Sequence, residues 1–423
     1  MIDVAGAGSR LFRQLVPHQA HMQTSSAHHA PRRWVSCSED LVSSSIQQRA
    51  EPSHTEPPPP ACMVLQTLSN TSDTGASPPV SRDLTHTYML AFSWRKILPS
   101  IAAQGYYCVA MDQRGYGRTT GWTQASYDEV DLTQYTMTNL VRDLVCLVYK
   151  LGYKEVKCII GHDFGAVSSA MAALIRPDIF RATIQMSHPH HASPAPPLGD
   201  EEPKPPVDIQ AELAKLDPPR KHYKNYNSTP TAAHDWDNPS QGLYDYLRGY
   251  FHLKSADWAF NKPHPLDSWS AEGLQEMPEY YIMRKEHSMP EAVASNMKGE
   301  DASKTETWLS ESDLKIYCQE WQRTGFQGAL NWYRAQTTST PQSAKDMLLF
   351  AGRRIEVPCG FISGKQDWGN YQQPRALDGY DDANVVKEGC FRGAKMIDRA
   401  GHWVQQEQAG RVIEEVKAFL QTL

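Results

Sequence analysis

Short apolar runs that alternate with amphipathic helical patterns are the feature that most restricts the fold of this chain. The run YYCVAMD covers residues 106–112 and the run VKCIIGHD covers residues 156–163. Between them, residues 132–151 carry apolar side chains at three- to four-residue spacing and end before Gly152, as expected of an amphipathic helix. A helical pattern that stops at Pro177 and the run RATIQMSHP follow. This alternation predicts βαβ units and a mostly parallel sheet flanked by helices.

The same pattern divides the 423 residues into four segments. Residues 1–80 are rich in Pro, Ser, Thr and His, so they offer too little apolar surface to offset the entropy of ordering, and we expect a disordered leader. Strand-helix alternation covers residues 84–188 and resumes over 351–423, which predicts two parts of one α/β core. Residues 189–350 begin Pro-rich and become helical and aromatic. We interpret them as a helical cap inserted over the carboxyl edge of the sheet, where open α/β folds bind ligands.

Composition excludes several classes of function. The chain has 42 Lys and Arg against 48 Asp and Glu, a net charge of −6, and no basic stripe, which argues against a nucleic-acid partner. It contains no run of about 18 apolar residues, so no membrane-spanning helix is expected. The eight cysteines are dispersed, which is typical of reduced, buried thiols and favours a cytoplasmic location. The Arg- and Ser-containing start leaves an organelle-targeting leader as the alternative.

The most informative motif is GHDFG at residues 161–165, which follows a buried strand and precedes a helix. A small-x-nucleophile-x-small elbow requires this context, because the tight turn holds its central residue above the sheet. Here that residue is Asp163, a carboxylate that can attack an sp³ carbon and form an ester on the protein. A Gly-rich turn whose Asp caps the following helix is the alternative interpretation.

Two further residues complete a possible triad. Asp367 follows a predicted strand after the insertion, and His402 follows the last predicted strand. The order nucleophile, acid, histidine is that of α/β-hydrolases. His402 would take a proton from the water that attacks the ester, and Asp367 would orient the imidazole. Taken singly, Asp367 could be a turn former and His402 a hydrogen-bonded histidine in a glycine turn.

Five separated segments, DQRGYGRT, GHDFG, EYYIM, LNWYR and DRAGHW, resemble the epoxide hydrolases of the α/β-hydrolase superfamily. The resemblance covers residues 91–189 and 280–404. It implies the α/β-hydrolase fold with a helical cap and the addition of water to a small apolar epoxide, giving a vicinal diol. The family's nucleophile, acid and base fall on Asp163, Asp367 and His402.

The resemblance also implies two cap tyrosines that donate to the epoxide oxygen as the ring opens. By motif these are Tyr280 and Tyr333, and Tyr281 competes with Tyr280 for the first position. The backbone N–H of Phe164, directly after the nucleophile, is expected to form half of an oxyanion hole, and its ring to line the pocket.

Two other functions stay open at this level. Haloalkane dehalogenases share the Asp nucleophile but hold the halide with ring N–H donors, one usually a Trp beside the nucleophile, where this chain has Phe164. A catalytically impaired hydrolase-fold protein that binds a small ligand under its cap is the second alternative. The sequence predicts neither a cofactor nor a metal, because it has no HExxH, P-loop or GxGxxG motif in the required context and no zinc-like Cys spacing. It does not predict an oligomeric state.

The impaired alternative arises from a departure from the family pattern. The sequence contains neither the HGxP segment, which supplies the second oxyanion donor in the family, nor the segments that match the family's first strands. Either this sequence lacks a segment that the active enzyme contains, or the protein itself is catalytically impaired. One missing strand belongs between the strands at 106–111 and 156–161, and we expect residues 85–90 to occupy that central position.

Overall fold

The computed structural model describes residues 61–64, 91–193, 207–337 and 341–423. Six strands form one parallel sheet in the order β2-β1-β3-β4-β7-β8. Their bounds are β1 Ala61–Val64, β2 Tyr107–Ala110, β3 Cys158–His162, β4 Thr183–Met186, β7 Cys359–Gly364 and β8 Phe391–Ile397. The predicted mostly parallel sheet is therefore confirmed.

Helices cover both faces of this sheet, which confirms the predicted layering. They are α1 Leu98–Ala102, α2 Met137–Lys150, α3 Phe164–Ile175, α13 Val404–Glu407 and α14 Ala409–Leu420, with 3₁₀ turns at Ala91–Trp94, Leu132–Tyr135, Trp368–Asn370 and Asp378–Asp381. Ile159 packs with side chains of α2 and α3, whereas Ile160 packs with side chains of α1 and α14. Successive strand residues point to opposite faces, so the core has one apolar layer on each side of the sheet.

The segment between β4 and β7 contains most of the remaining helices. They are α4 Ile209–Leu213, α5 Tyr223–Asn227, α6 Ala232–Asp237, α7 Leu243–Leu253, α8 Ala271–Leu274, α9 Met289–Asn296, α10 Glu311–Thr324, α11 Gln327–Thr337 and α12 Pro341–Leu348, with a 3₁₀ helix at Ala302–Thr307. The strands β5 Arg220–His222 and β6 Ile282–Arg284 form a small antiparallel sheet that the sequence did not predict. We refer to residues 207–348 as the cap.

The strand β1 corrects two expectations. It pairs with β2 on one side and β3 on the other, so Ala61–Val64 occupies the central position that residues 85–90 were expected to fill. Residues 85–90 lie outside the described part of the chain. The disordered leader assigned to residues 1–80 is likewise wrong for these four residues, and its other residues are not described. The average composition of the leader obscured the apolar run ACMV, which is long enough to pair with both neighbouring strands.

The cysteines also depart in part from expectation. Cys146 is disulfide-bonded, which contradicts a fully reduced set. Free thiols are found at Cys108, Cys158, Cys318, Cys359 and Cys390. None of the helices in the described ranges is long and apolar enough to cross a bilayer.

A close backbone contact joins the cap helix α11 to the core. A side chain at Gly115 would overlap the carbonyl of Gly328, and one at Gly328 would in turn meet the carbonyl of Gly115. Beside this contact, the Trp332 indole donates to the Arg114 carbonyl at 2.7 Å, and the Arg114 guanidinium makes two 2.9 Å bonds with buried Asp143. The turn in DQRGYGR therefore fixes the helix that carries Tyr333.

We expect Met63→Pro to destabilise the fold strongly. Met63 lies between Val109 and Ile159 in the sheet, and proline removes the backbone donor that a central strand needs. The free energy of unfolding should fall by about 3 kcal/mol or more in chemical denaturation. Met63→Val, which suits a strand, is the matched control. Equal stability of the two variants would mean that β1 does not contribute to the sheet.

Candidate active site

Asp163 stands at a strained turn between β3 and α3. Its φ of 53° and ψ of −116° lie outside the conformations that side-chain-bearing residues favour. A side chain at Gly161 would overlap the Gly165 carbonyl, so the turn tolerates only glycine there. The Asp163 side chain makes no capping hydrogen bond to α3. The elbow geometry is therefore present, and the helix-capping interpretation of this aspartate is wrong.

The three predicted triad residues lie together and are buried. His402 Nε2 is 3.6 Å from Asp163 Oδ1, and His402 Nδ1 is 3.2 Å from each carboxylate oxygen of Asp367. The exposed fractions of Asp163, Asp367 and His402 are 4%, 1% and 1%. Asp367 also accepts the Gly369 N–H at 2.7 Å, which fixes the carboxylate that orients the imidazole. Within the described residues, neither Asp163 Oδ2 nor His402 Nε2 has a hydrogen-bond partner.

The pKa values of Asp163 and His402 are both shifted downwards, which determines the charge on each group at neutral pH. Burial would raise the pKa of Asp163, but the positive charge of His402 when that imidazole is protonated, together with that of Lys254, outweighs this effect, and the pKa lies below its usual value. Burial and the Lys254 ammonium hold the pKa of His402 well below that of a free imidazole. Burial raises the pKa of Asp367. At neutral pH the site thus offers an ionised carboxylate at the elbow and an unprotonated imidazole beside it.

The backbone of His402 is fixed from several directions. Its N–H donates to the Lys254 carbonyl at 2.8 Å, and its carbonyl accepts the His162 Nε2–H at 2.6 Å and the Ser187 hydroxyl at 3.1 Å. The flanking N–H groups of Gly401 and Trp403 donate to Glu407 at 2.9 Å. Glu407 accepts the N–H of Ala256 as well, so one partly buried carboxyl joins the cap to the turn that carries His402. Burial raises the pKa of Glu407 to about 8.

The three tyrosines named from the sequence, Tyr280, Tyr281 and Tyr333, make different contacts in the structure. The Tyr333 ring lies 5.0 Å from that of Phe164, and Asp163 is among the charges that act on the Tyr333 phenol. The Tyr280 hydroxyl instead donates to Asn261 Oδ1 at 2.9 Å, and its assignment as a cap donor stays a prediction. The Asp367 carboxylate acts on the phenols of both Tyr280 and Tyr281, but Asp163 acts on Tyr281 as well, and the Tyr281 hydroxyl has no partner among the described residues.

Tyr223 is the cap tyrosine that sequence reasoning missed. Its ring lies 5.7 Å from Tyr333 and 5.1 Å from Tyr281, each edge to face. Burial raises the pKa of Tyr223, and Asp163 is the strongest charge that acts on its phenol. Its hydroxyl also donates to Gln372 at 3.3 Å. Nothing in the segment HYKNY distinguishes this residue among 19 tyrosines, because only tertiary packing brings its ring against those of Tyr281 and Tyr333.

Phe164 occupies the place that the motif gave it. It begins α3, and N–H groups in the first turn of a helix have no helical acceptor, so its N–H is available to an oxyanion. Its ring contacts Trp332 and Tyr333 at centroid distances of 5.4 and 5.0 Å. The chain that follows β1, where the family carries its second donor, lies outside the described residues. Within the described ranges no group of His, Cys, Asp and Glu side chains is arranged to hold a metal ion.

Comparison with known proteins agrees with this geometry. Residues 85–216 match the family model of the alpha/beta hydrolase fold. Epoxide hydrolase A of Mycobacterium tuberculosis is 30% identical over 333 residues, which cover 78% of this chain and 87% of that protein. The chain belongs to the epoxide hydrolases. An epoxide hydrolase of Caballeronia sordidicola is 27% identical over 333 residues, 79% of this chain and 84% of the relative.

Solved structures of epoxide hydrolases share the fold. One from an endophytic Streptomyces has a TM-score of 0.61 at 24% identity, covering 86% of this chain and 90% of that one. Epoxide hydrolase A of Mycobacterium thermoresistibile has a TM-score of 0.60 at 24% identity, covering 85% and 91%. This family member therefore has the α/β-hydrolase architecture that its motifs imply.

Buried histidines around the site make stability depend on pH. Burial lowers the pKa of His162 and His190 to about 4 and that of His191 and His222 to about 3. An unfolded histidine titrates near 6.5, so unfolding takes up protons between about pH 4 and 6.5. The contribution of these groups is complete above pH 6.5 and is lost as the pH falls through this window.

We expect His190→Asn to flatten this pH dependence. The slope of the unfolding free energy between about pH 4.5 and 6 should decrease by about 1.4 kcal/mol per pH unit, because one proton fewer is taken up. Denaturant unfolding at several pH values measures it. His264→Asn is the control, since the Glu276 carboxylate raises the pKa of that exposed histidine and its loss cannot flatten the slope. An unchanged slope in His190→Asn would contradict a neutral buried imidazole.

Proposed function

We propose that this chain hydrolyses epoxides to vicinal diols through a covalent ester on Asp163. One observation carries the proposal: an ionised carboxylate with one free oxygen faces an unprotonated imidazole whose Nε2 is also free within the described residues, 3.6 Å from Asp163 Oδ1. A carboxylate can form an ester with carbon, and a neutral imidazole can activate the water that cleaves it. Membership in the epoxide hydrolase family supports the same chemistry.

In the first half-reaction, a carboxylate oxygen of Asp163 attacks an epoxide carbon and the ring C–O bond breaks. The ring oxygen leaves as an alkoxide unless a proton reaches it as the charge develops. We assign the phenols of Tyr223 and Tyr333 as the donors in this step, because the charge of Asp163 acts on the pKa of both phenols and the two rings are in contact. Burial raises the pKa of both phenols, so each is neutral and able to donate.

In the second half-reaction, His402 takes a proton from water and the resulting hydroxide attacks the ester carbonyl of Asp163. Asp367 stabilises the imidazolium that forms, and the Phe164 N–H donates to the oxyanion. Collapse of this intermediate releases the diol and restores the Asp163 carboxylate. The proton on His402 returns to the phenolate left by the first step, so one epoxide and one water give one diol.

The surroundings of the elbow favour a small apolar epoxide. The rings of Phe164, Trp332 and Tyr333 pack against one another beside the nucleophile. The Trp332 N–H donates to the Arg114 carbonyl and Phe164 has no ring donor, which disfavours halide release by a dehalogenase. A cytoplasmic location is part of this proposal: the free thiols support it, and the disulfide at Cys146 counts against it.

The central test is diol formation from styrene oxide. We expect Asp163→Ala to reduce turnover by about 1,000-fold or more, and His402→Gln to trap the ester, so that mass spectrometry finds the substrate on the peptide containing Asp163. The controls are Asp178→Ala and His264→Gln, which change exposed residues. A folded wild-type chain without diol formation would favour an impaired ligand-binding protein, and halide release from a haloalkane would favour the dehalogenase.

A second prediction distinguishes the cap tyrosines. Tyr223→Phe and Tyr333→Phe should each slow ester formation in single-turnover experiments by about 100-fold, because each removes one donor from the developing alkoxide. Hydrolysis of the preformed ester should change little. Tyr280→Phe should retain ester formation within about threefold. If Tyr280→Phe slowed ester formation as much as Tyr333→Phe, the original assignment of Tyr280 would be supported.

A further inference from the structure

The side chain of Lys254, directly after α7, is buried at the boundary between cap and core. Its exposed fraction is 5%, which is unusual for a lysine. The ammonium lies 5.2 Å from the ring centroids of Tyr250 and Tyr281 and 5.5 Å from that of Trp403. Three aromatic faces attract a cation and fix its position, but they do not neutralise its charge.

Lys254 has no ion-pair partner to account for its burial. Ion pairs are found for many other basic side chains, yet across residues 91–193, 207–337 and 341–423 no carboxylate comes within 4.0 Å of the Lys254 nitrogen. Burial lowers the pKa of Lys254, and the charges of Asp163 and Asp367 act in the opposite direction and favour the ammonium. Both carboxylates belong to the triad, so the positive charge of Lys254 interacts with the triad and not with a separate ion-pair partner.

The backbone of Lys254 ties this cation to the catalytic histidine. The Lys254 carbonyl accepts the His402 N–H at 2.8 Å, and a side chain at Gly401 would overlap that carbonyl. The aromatic faces are shared as well, since Trp403 follows His402 in the chain. The position of the ammonium relative to the imidazole is therefore set by the same turn that places His402.

The groups that face His402 come from five places in the fold. Asp163 stands at the elbow, Asp367 follows β7, His162 ends β3, His188 follows β4 and Lys254 follows α7. Burial keeps His162 and His188 neutral at neutral pH, with Lys224 disfavouring a charge on His188. Glu407 accepts the N–H groups on either side of His402, and burial raises its pKa to about 8. Among these groups, Lys254 is the one basic side chain whose unperturbed pKa lies well above neutral pH.

We propose that Lys254 is an electrostatic positioning residue for the reaction: its buried ammonium offsets one of the two triad carboxylates, so that His402 remains an unprotonated base while Asp163 and Asp367 are both charged. The inference rests on the proposed function. Two buried carboxylates beside one imidazole would otherwise bind a proton on the imidazole and lose the base that activates water. The same ammonium favours the ionised Asp163 that attacks the epoxide.

The test is the pH profile of ester hydrolysis. Lys254→Met keeps the length and apolar stem of the side chain and removes the charge. The enzyme is loaded with styrene oxide, and decay of the Asp163 ester is followed by mass spectrometry across the pH range. We expect the acid limb of this profile to move up by about one to two pH units, because His402 then stays protonated to higher pH. At pH 7 ester decay should slow by about tenfold and recover at higher pH.

Three further variants make the result decisive. Lys254→Arg keeps the charge and should return the limb towards its wild-type position. Lys221→Met is the matched control, since Lys221 also lies over a ring, that of Tyr226 at 4.9 Å, but the charges that act on it are outside the site. Lys254→Gln gives a second uncharged variant if Lys254→Met does not fold. Titration of Glu407 is common to all variants and cancels in the comparison.

An acid limb within about 0.3 pH units of wild type in a folded, uncharged Lys254 variant would overturn the proposal. A purely structural role would lower the rate equally at every pH and leave the limb in place, and that result also contradicts it. Failure of the proposed function is a separate outcome, because the wild-type enzyme would then form neither ester nor diol.

Discussion

The strained backbone at Asp163 is the constraint on which the rest of the site depends. A residue with φ of 53° between a buried strand and a helix projects its side chain out of the sheet, and the conformation persists because Gly161, which has no side chain, lets the strand approach the first turn of the helix closely. Every other group of the site is arranged around that carboxylate. His402 and Asp367 reach it from the ends of other strands, and the tyrosines reach it from the cap.

Residues of both the cap and the core hold His402 in position. The His402 turn is held by His162 and Ser187 of the core, by the Lys254 carbonyl of the cap and by Glu407. The imidazole therefore has its final position only when the two parts of the chain are packed together. Its chemistry depends on the same packing, because burial and the Lys254 ammonium both hold it unprotonated.

The sequence predicted those parts of the site that local patterns encode. A strand, a tight turn and a helix are contiguous, so GHDFG identified Asp163, and strand ends identified Asp367 and His402. The cap tyrosines depend on tertiary packing, and an adjacent pair such as Tyr280 and Tyr281 cannot be separated without it. No local sequence pattern pointed to Tyr223 or Lys254, because their place in the site depends on contacts with charges and rings of residues far away in the sequence. The strand Ala61–Val64 was missed because four apolar residues are diluted in a long polar segment.

The contact between Gly115 and Gly328 has a consequence for how substrate enters. Two main chains touch there without intervening side chains, so that junction has no compressible layer through which the helix bearing Tyr333 could slide or rock. The helix that carries Tyr333 is therefore held against the core at this point. Access for substrate therefore depends on the rest of the cap, including the helix that carries Tyr223, and not on movement of the helix that carries Tyr333.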